Sequence, residues 1–189
     1  MASIQKRLCS IERPLLHGNP ISRKVYPDGK VSSLYRISFE TLYNLQKGYG
    51  GRIGVLPRLP DGSYLVNLSN RGLWGDFGGG VKAREYHLRA LERELEEEVP
   101  MWKETLLSRI VRSHIYALEE FYPYDKQKTR RTIRIQILCI VDFPEEELEK
   151  FSPSEEVLEI KRVIHLKSFL QANPLNLGLQ QLLLLDDPY

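Results

Sequence analysis

The segment from residue 79 to residue 101, GGVKAREYHLRALERELEEEVPM, holds the side chains of this chain that are best suited to chemistry. Helix neighbours on one face lie three or four residues apart, so a helix here would bring Glu94, Glu97 and Glu98 to one side. Like charges at that spacing repel by roughly 0.2–0.5 kcal/mol in an isolated helix. A hard divalent cation with oxygen ligands would turn this repulsion into binding, so the spacing indicates a metal site. A solvated acidic helix face is the alternative explanation of the glutamates alone.

The apolar residues of the same segment predict how the acidic face is held. Leu88, Leu91, Leu95 and Val99 recur at helical spacing on another side of the helix. Such a stripe packs against a core and fixes the orientation of the opposite face. The carboxylates would then be presented on a rigid element.

The complete pattern resembles the Nudix box, Gly-x5-Glu-x7-Arg-Glu-U-x-Glu-Glu-x-Gly-U, in which U is aliphatic. The matching residues are Gly79, Glu85, Arg93, Glu94, Leu95, Glu97, Glu98 and Met101. Pro100 stands where the family has glycine. Proline fixes its own φ and disfavours helix at the preceding residue, so we expect a different turn at the helix end and an unchanged metal geometry.

The resemblance implies an enzyme, a Nudix hydrolase that cleaves a pyrophosphate linkage with the help of Mg²⁺ or Mn²⁺. The metal ligands that it implies are the main-chain carbonyl of Gly79 and the carboxylates of Glu85, Glu94, Glu97 and Glu98. Glu94, Glu97 and Glu98 would form the catalytic set together with Arg93, which would orient them through charge-assisted hydrogen bonds. The general base stays open between a glutamate of the box and one of a later loop, for which Glu155 and Glu156 are candidates. An exposed loop edge is the alternative explanation of that later pair.

The order of elements predicts an α/β fold. Apolar runs at RIGVLP and SYLVNL flank a turn and indicate a β-hairpin, and LWGDFGGGV reads as a loop that leads into the box. HIYAL, TIRIQILCIVDF and KRVIHL indicate further strands, and a helix is predicted near residues 167–172. By resemblance this order corresponds to a Nudix-like α/β/α sandwich with a mixed β-sheet and a catalytic loop-helix-loop.

Composition sets the domain organisation and the cellular setting. With 189 residues, of which 42% are apolar, the chain can bury one core. We predict a Nudix hydrolase domain over residues 51–189 and an N-terminal extension over residues 1–50 that adds strands or serves dimerisation.

The two cysteines, far apart in sequence, indicate neither a disulfide framework nor a zinc site. No segment has the length of a membrane span, so we expect a cytoplasmic protein without a membrane partner.

The best clue to the substrate is the segment FYPYDKQKTRRTIR, residues 121–134, in which aromatic and basic residues alternate. Aromatic rings can stack on a base while Lys and Arg bind phosphates. The predicted substrate-binding residues are Tyr122, Tyr124, Lys128, Arg130 and Arg131. A charged hairpin loop that protects a sheet edge is the alternative.

The predicted substrate is a nucleoside diphosphate linked to another group: a nucleotide, a nucleotide sugar, capped RNA or, as a further option, a diphosphoinositol polyphosphate. The partner would be a small nucleotide-type molecule or an RNA 5′ end. Two other classes remain open, a non-catalytic Nudix-fold module that binds a nucleotide or RNA, and an interaction protein that acts through residues 1–50. A homodimer is an additional prediction.

Overall fold

The computed structural model describes residue 16 and residues 18–45, 49–122 and 132–184. The strands are Ser22–Val25 (β1), Val31–Ile37 (β2), Gly50–Arg58 (β3), Tyr64–Ser69 (β4), Trp74–Gly75 (β5), Phe77–Val81 (β6), His114–Tyr122 (β7), Thr132–Asp142 (β8) and Val157–Val163 (β9). The α-helices are Phe39–Tyr43 (α1), His87–Glu98 (α2), Lys103–Arg109 (α3), Leu166–Ala172 (α4) and Leu177–Gln180 (α5). Short 3₁₀ turns cover Pro100–Trp102, Ile110–Arg112, Glu145–Lys150 and Gln181–Leu184.

The strands form one mixed sheet in the order β1-β2-β7-β8-β3-β4-β5. Strand β6 pairs with β3 off this path, and β9 pairs with β4. The pair β3–β8 is parallel, with Ile53 opposite Ile137, whereas the other pairs are antiparallel. The predicted α/β class with a mixed sheet is therefore confirmed.

Helices cover both faces of the sheet because side chains alternate along each strand. On β8, Ile135, Ile137 and Cys139 enter a core that also contains buried residues of α2 and α3. Leu138 and Ile140 enter a second core with the buried residues of α4 and α5. The structure is thus an α/β/α sandwich, as predicted, and it holds α2 against one face of the central strands.

The prediction of a loop for LWGDFGGGV was wrong. Residues 77–81 of this segment form β6 and pair with β3, with Gly78 opposite Gly54 and Gly79 opposite Ile53. Glycines have low strand propensity, which makes such a segment read as a loop, but here the missing side chains let the backbones approach closely. The glycine-rich segment therefore belongs to the sheet that carries the box helix.

Residues 22–37 form a hairpin that joins the sheet through β2 and β7, with Leu34 opposite Leu118. The turn lies at YPDGK, where the Tyr26 amide donates to the Lys30 carbonyl over 2.9 Å. Helix α1 follows, capped by the side chain of Ser38. The division of the chain at residue 50 stays a prediction.

The helix of the box ends as the proline predicts. Helix α2 runs to Glu98, and Val99 leaves the helical region with φ −142° and ψ 64°. Pro100 then opens a 3₁₀ turn, in the first position that proline tolerates best. This turn buries Trp102 against Phe77 and Phe143. The exit of the helix is therefore anchored in the core.

Across the described residues, none of the helices is long and apolar enough to cross a membrane.

Candidate metal centre and active site

Helix α2 presents its carboxylates from a fixed position. Its residues Ala90, Leu91 and Leu95 are fully buried, and Val99 directly after it is buried as well. Leu88 packs at the edge of the same core. The predicted apolar stripe is confirmed, and the opposite side of the helix points away from the core.

Three carboxylates converge beside this helix. Oxygens of Glu94, Glu97 and Glu156 all lie within 4.8 Å of one another. Glu94 is partly buried, whereas Glu97 and Glu156 are exposed. Glu156 comes from the loop before β9, so the cluster joins the box to a segment almost sixty residues further along the chain.

Asn70, in the turn after β4, holds the loop that carries Glu156. Its amide N–H donates to the Glu156 carbonyl over 3.2 Å. Its side-chain Nδ2 donates to the Glu155 carbonyl, also over 3.2 Å. Glu155 and Glu156 were equal candidates from sequence, and only Glu156 belongs to the carboxylate cluster.

Glu98 occupies a different environment from the cluster. Its Oε2 accepts a hydrogen bond of 2.8 Å from the Gly78 amide, so the carboxyl group is directed towards β6. Burial raises the pKa of Glu98 to about 8, with a smaller contribution from the negative charge of Asp76. Its predicted role as a metal ligand stays a prediction.

Arg93 connects the acidic residues of the box. Its Nε and Nη2 donate to the two carboxylate oxygens of Glu85, each over 3.2 Å. Its Nη1 donates to Glu94 and lies 3.6 Å from an oxygen of Glu97. Its Nη2 also donates to the Gly80 carbonyl over 2.9 Å. One guanidinium thus ties helix α2, β6 and the loop before the helix together.

These contacts alter the acidity of the groups that make them. The hydrogen bonds from Arg93 lower the pKa of Glu85, and the Lys82 amide, which donates to Glu85 over 2.8 Å, adds to the effect. Hydrogen bonds to the carboxylates of Glu85 and Glu94 raise the pKa of Arg93. Glu85 is therefore a charged anchor for Arg93 and lies outside the carboxylate cluster.

Gly78 and Gly79 are required by the space around their Cα atoms. Gly78 has a φ of +144°, and a Cβ there would lie 2.3 Å from the Ile53 carbonyl oxygen. A Cβ on Gly79 would lie 2.0 Å from Oε2 of Glu94. Glycine at residue 79 therefore lets the Glu94 carboxylate rest directly on the strand backbone. The predicted use of the Gly79 carbonyl as a metal ligand stays a prediction.

An ion pair between Arg52 and Asp76 stabilises the position of strand β6. Arg52 Nη1 lies 2.5 Å from Oδ2 of Asp76, a residue that is 1% exposed. Arg52 Nη2 donates to the Gly78 carbonyl over 2.7 Å. Asn67 Nδ2 donates to the Asp76 carbonyl over 3.0 Å. We did not predict these residues, because Arg52 and Asp76 lie 24 positions apart and no local pattern links them.

The predicted substrate-binding residues lie mostly outside the described chain. This applies to Tyr124, Lys128, Arg130 and Arg131. Tyr122 is described, at the end of β7, where its ring centroid lies 5.1 Å from Lys30 Nζ and 5.4 Å from Arg134 Cζ. Its hydroxyl donates to Glu120 over 3.3 Å.

Comparison with known proteins finds matches among solved structures alone, all at low sequence identity. No family model matches the chain. No curated protein matches it either. Among solved structures, a MutT protein from Methanosarcina mazei Go1 shares 18% identity, with a TM-score of 0.40 over 73% of this chain and 92% of its own. An ADP-ribose pyrophosphatase from Streptococcus suis 89-1591 shares 21% identity, with a TM-score of 0.38 over 71% and 87%. The Nudix hydrolase RenU from M. smegmatis shares 11% identity, with a TM-score of 0.40 over 72% and 81%.

Proposed function

We propose that this chain is a Nudix hydrolase that uses Mg²⁺ or Mn²⁺ to cleave a pyrophosphate linkage in a nucleoside diphosphate joined to another group. The observation that carries the proposal is the meeting of Glu94 and Glu97 with Glu156. The box alone explains the first two carboxylates. A third carboxylate brought to the same point by a distant loop is what a site for a cation needs.

The donor set fits a hard divalent ion. Carboxylate oxygens are the ligands that Mg²⁺ and Mn²⁺ prefer, and Mg²⁺ binds few of them while it keeps waters and substrate phosphates. Glu94, Glu97 and Glu156 would hold the ion. When bound, such an ion neutralises charge on the phosphate oxygens and makes water a better nucleophile.

Two further functions, positioning of the carboxylates and proton acceptance, fall to Arg93 and Glu156. Arg93 fixes the position of Glu94 and Glu97 by hydrogen bonds and charge. We assign proton acceptance from the attacking water to the second carboxylate oxygen of Glu156, because Glu94 and Glu97 both contact Arg93 and Glu156 is exposed to the solvent from which that water comes.

The binding-module alternative had one feature in its favour, which was Pro100. Helix α2 nevertheless continues to Glu98, and its exit turn is packed into the core through Trp102. The proline therefore leaves the acidic residues on an intact helix, and catalysis is the function that we favour. A cytoplasmic location and a homodimer stay predictions.

The test is product formation from a mixed panel, followed by mass spectrometry in the presence of Mg²⁺ and separately of Mn²⁺. The panel contains nucleoside triphosphates, nucleotide sugars, ADP-ribose, dinucleoside polyphosphates, capped RNA and diphosphoinositol polyphosphates. We expect Glu97→Gln to abolish cleavage of the preferred substrate. The matched control is Glu96→Gln, because Glu96 lies on the same helix but pairs with Lys103 away from the cluster. Absence of turnover with both metals would overturn the proposal.

A further inference from the structure

An apolar groove of about 1010 Å³ lies between helices α1, α2 and α3. Its volume is at the upper end of the range of roughly 300–1,000 Å³ that is usual for small-molecule sites. Its described lining contains no residue of the carboxylate cluster, so the groove is separate from the proposed metal centre. We call it the α1–α2 groove, and its lining includes Leu42, Tyr43, Tyr86, His87, Arg89 and Ile110.

The lining of the α1–α2 groove combines buried aliphatic residues with two exposed tyrosines. Leu42 and Ile110 are buried and belong to the core. Tyr43, the last residue of α1, is 67% exposed, and Tyr86, directly before α2, is 45% exposed. Exposed apolar residues that share one depression indicate an interaction site, whereas scattered ones do not. A flat apolar group would cover both tyrosine rings and contact the aliphatic residues between them.

His87, the first residue of helix α2, contributes a buried acceptor that has no partner. It is 2% exposed, and its Nε2 lies 3.4 Å from the Ile135 carbonyl oxygen. A carbonyl only accepts, so Nε2 carries the proton, and burial keeps the ring neutral by lowering the pKa of His87. Among the described atoms, Nδ1 makes no hydrogen bond. Because an unpaired buried acceptor costs free energy, Nδ1 indicates a ligand that supplies an N–H or O–H.

The charges around the α1–α2 groove are already balanced. Nη1 of Arg89 lies 2.6 Å from Oε2 of Glu92, and both residues belong to the lining. Asn44, which also lines the groove, is neutral. A charged ligand would lose hydration here without gaining an opposite charge. The groove therefore favours an uncharged ligand and disfavours the polyanionic substrates considered above.

We propose that the α1–α2 groove binds an uncharged aromatic molecule that carries an N–H or O–H donor. The donor would bond to Nδ1 of His87, and the ring would pack against Leu42, Tyr43 and Tyr86. Side-chain rotamers commonly change on binding, and such a change would open Nδ1, which is covered in the free protein. Binding of this kind requires neither a metal nor hydrolysis, so it is independent of the proposed function.

The experiment compares pairs of probes that differ only in the donor, titrated into the full chain by saturation-transfer NMR. The pairs are indole with 1-methylindole, and 2-naphthol with 2-methoxynaphthalene. We expect the donor-bearing member of at least one pair to bind about tenfold more tightly, because the blocked member leaves Nδ1 unpaired. A long-range ¹H–¹⁵N spectrum gives a second readout, since a new hydrogen bond to Nδ1 shifts the resonance of that nitrogen.

Substitution of His87 tests whether this residue is the acceptor. In His87→Leu we expect the two members of each pair to bind with equal Kd. The matched control is His165→Leu, because His165 is exposed before α4 and does not line the groove. Tyr43→Ala removes an exposed ring at the groove and should weaken both members of a pair alike, by about threefold to tenfold. Thermal unfolding verifies that each variant folds, and Tyr43→Ala alone tests the site if His87→Leu does not.

Competition with ADP separates the α1–α2 groove from the proposed metal centre. We expect ADP with Mg²⁺ to leave the Kd of the aromatic probe unchanged, and Glu97→Gln to bind the probe as the wild type does. Displacement of the probe by ADP would place the ring at the metal centre and would overturn the assignment. Equal Kd values within both probe pairs on the wild type would overturn it as well, as would an unchanged preference for the donor in His87→Leu.

Discussion

Substitution of Gly79 tests whether the carboxylate of Glu94 must lie directly against strand β6. In Gly79→Ala the new Cβ would lie 2.0 Å from Glu94 Oε2, so the carboxylate must move away from the cluster. A displacement of this size in a catalytic group costs about 100-fold in rate, and we expect a fall in kcat/KM of that order. Gly80→Ala is the control, because a Cβ there meets no atom within 4 Å. Equal activity of the two variants would show that the position of Glu94 is unimportant.

Arg93 tests whether a planar fork is needed to hold the glutamates. Lysine would keep the charge of Arg93 but could not reach Glu85, Glu94 and the Gly80 carbonyl together. We expect Arg93→Lys to lower kcat by about tenfold to 100-fold, as for lost hydrogen bonds to charged groups. Arg89→Lys is the control on the same helix, where the arginine pairs with Glu92. Steady-state kinetics measures kcat for both variants. A fall in kcat of the same size in both would contradict the role of Arg93.

Glu156 tests the assignment of the general base. Glu156→Gln removes the proton acceptor and keeps the shape, so kcat measured at saturating Mg²⁺ should fall by about 10²–10⁴-fold. Glu155→Gln changes the adjacent exposed carboxylate and should leave kcat unchanged. If kcat of Glu156→Gln stays within a factor of two of the wild type, the base lies elsewhere.

Among single residues, the sequence predicts those parts of the site that lie close together along the chain. Glu94 and Glu97 lie together because helical spacing converts sequence distance into position, whereas the role of Arg93 was predicted from the resemblance to the Nudix box. The sequence could not decide whether Glu155 or Glu156 joins the site, because that depends on how Asn70 binds their loop. Arg52 was missed because its partners lie far along the chain, Asp76 between β5 and β6 and Gly78 on β6. Such contacts depend on strand register, which the local pattern does not encode.

At the scale of elements, the turn after helix α2 can be tested at Pro100. Proline limits the conformations of the unfolded chain, so Pro100→Gly should destabilise the protein by about 0.4–1 kcal/mol. For a chain of this size that corresponds to a fall in Tm of about 1–4 °C. Because the helix already extends to Glu98, we expect unchanged kcat at a temperature where both proteins are folded. Calorimetry and kinetics measure the two effects, and a large gain of activity would show that proline distorts the site.

The elements that were predicted correctly have strong patterns, and those that were not have weak ones. The box helix and strands β7 and β8 follow clear apolar periodicity. Strand β6 consists largely of glycine, and its strand geometry arises from pairing with β3, so no local signal could reveal it. The hairpin of residues 22–37 was only one option for the N-terminal segment, because its strand β1 is short and mostly exposed.

At the scale of the whole molecule, the first strands can be tested for their place in the fold. Strand β2 pairs with β7 over its full length and buries Leu34 and Tyr35, while α1 buries Leu42. Removal of residues 1–45 would expose the β7 edge and open both cores. We expect the truncated chain to lose its cooperative thermal transition and to aggregate in size-exclusion chromatography. A monomeric truncated chain with an unchanged Tm would show that these strands are an independent addition.

The central claim is that a helix and a distant loop assemble a catalytic divalent-metal site. The most direct measurement is a Mn²⁺ titration by electron paramagnetic resonance, which reports free ion, on the wild type, Glu97→Gln, Glu156→Gln and the control Glu96→Gln. We predict that the wild type and Glu96→Gln bind the ion alike, and that each of the other two variants binds it at least about tenfold more weakly, since each loses a charged ligand. Equal binding by all four proteins, or none by the wild type in the presence of a nucleoside diphosphate, would contradict the account.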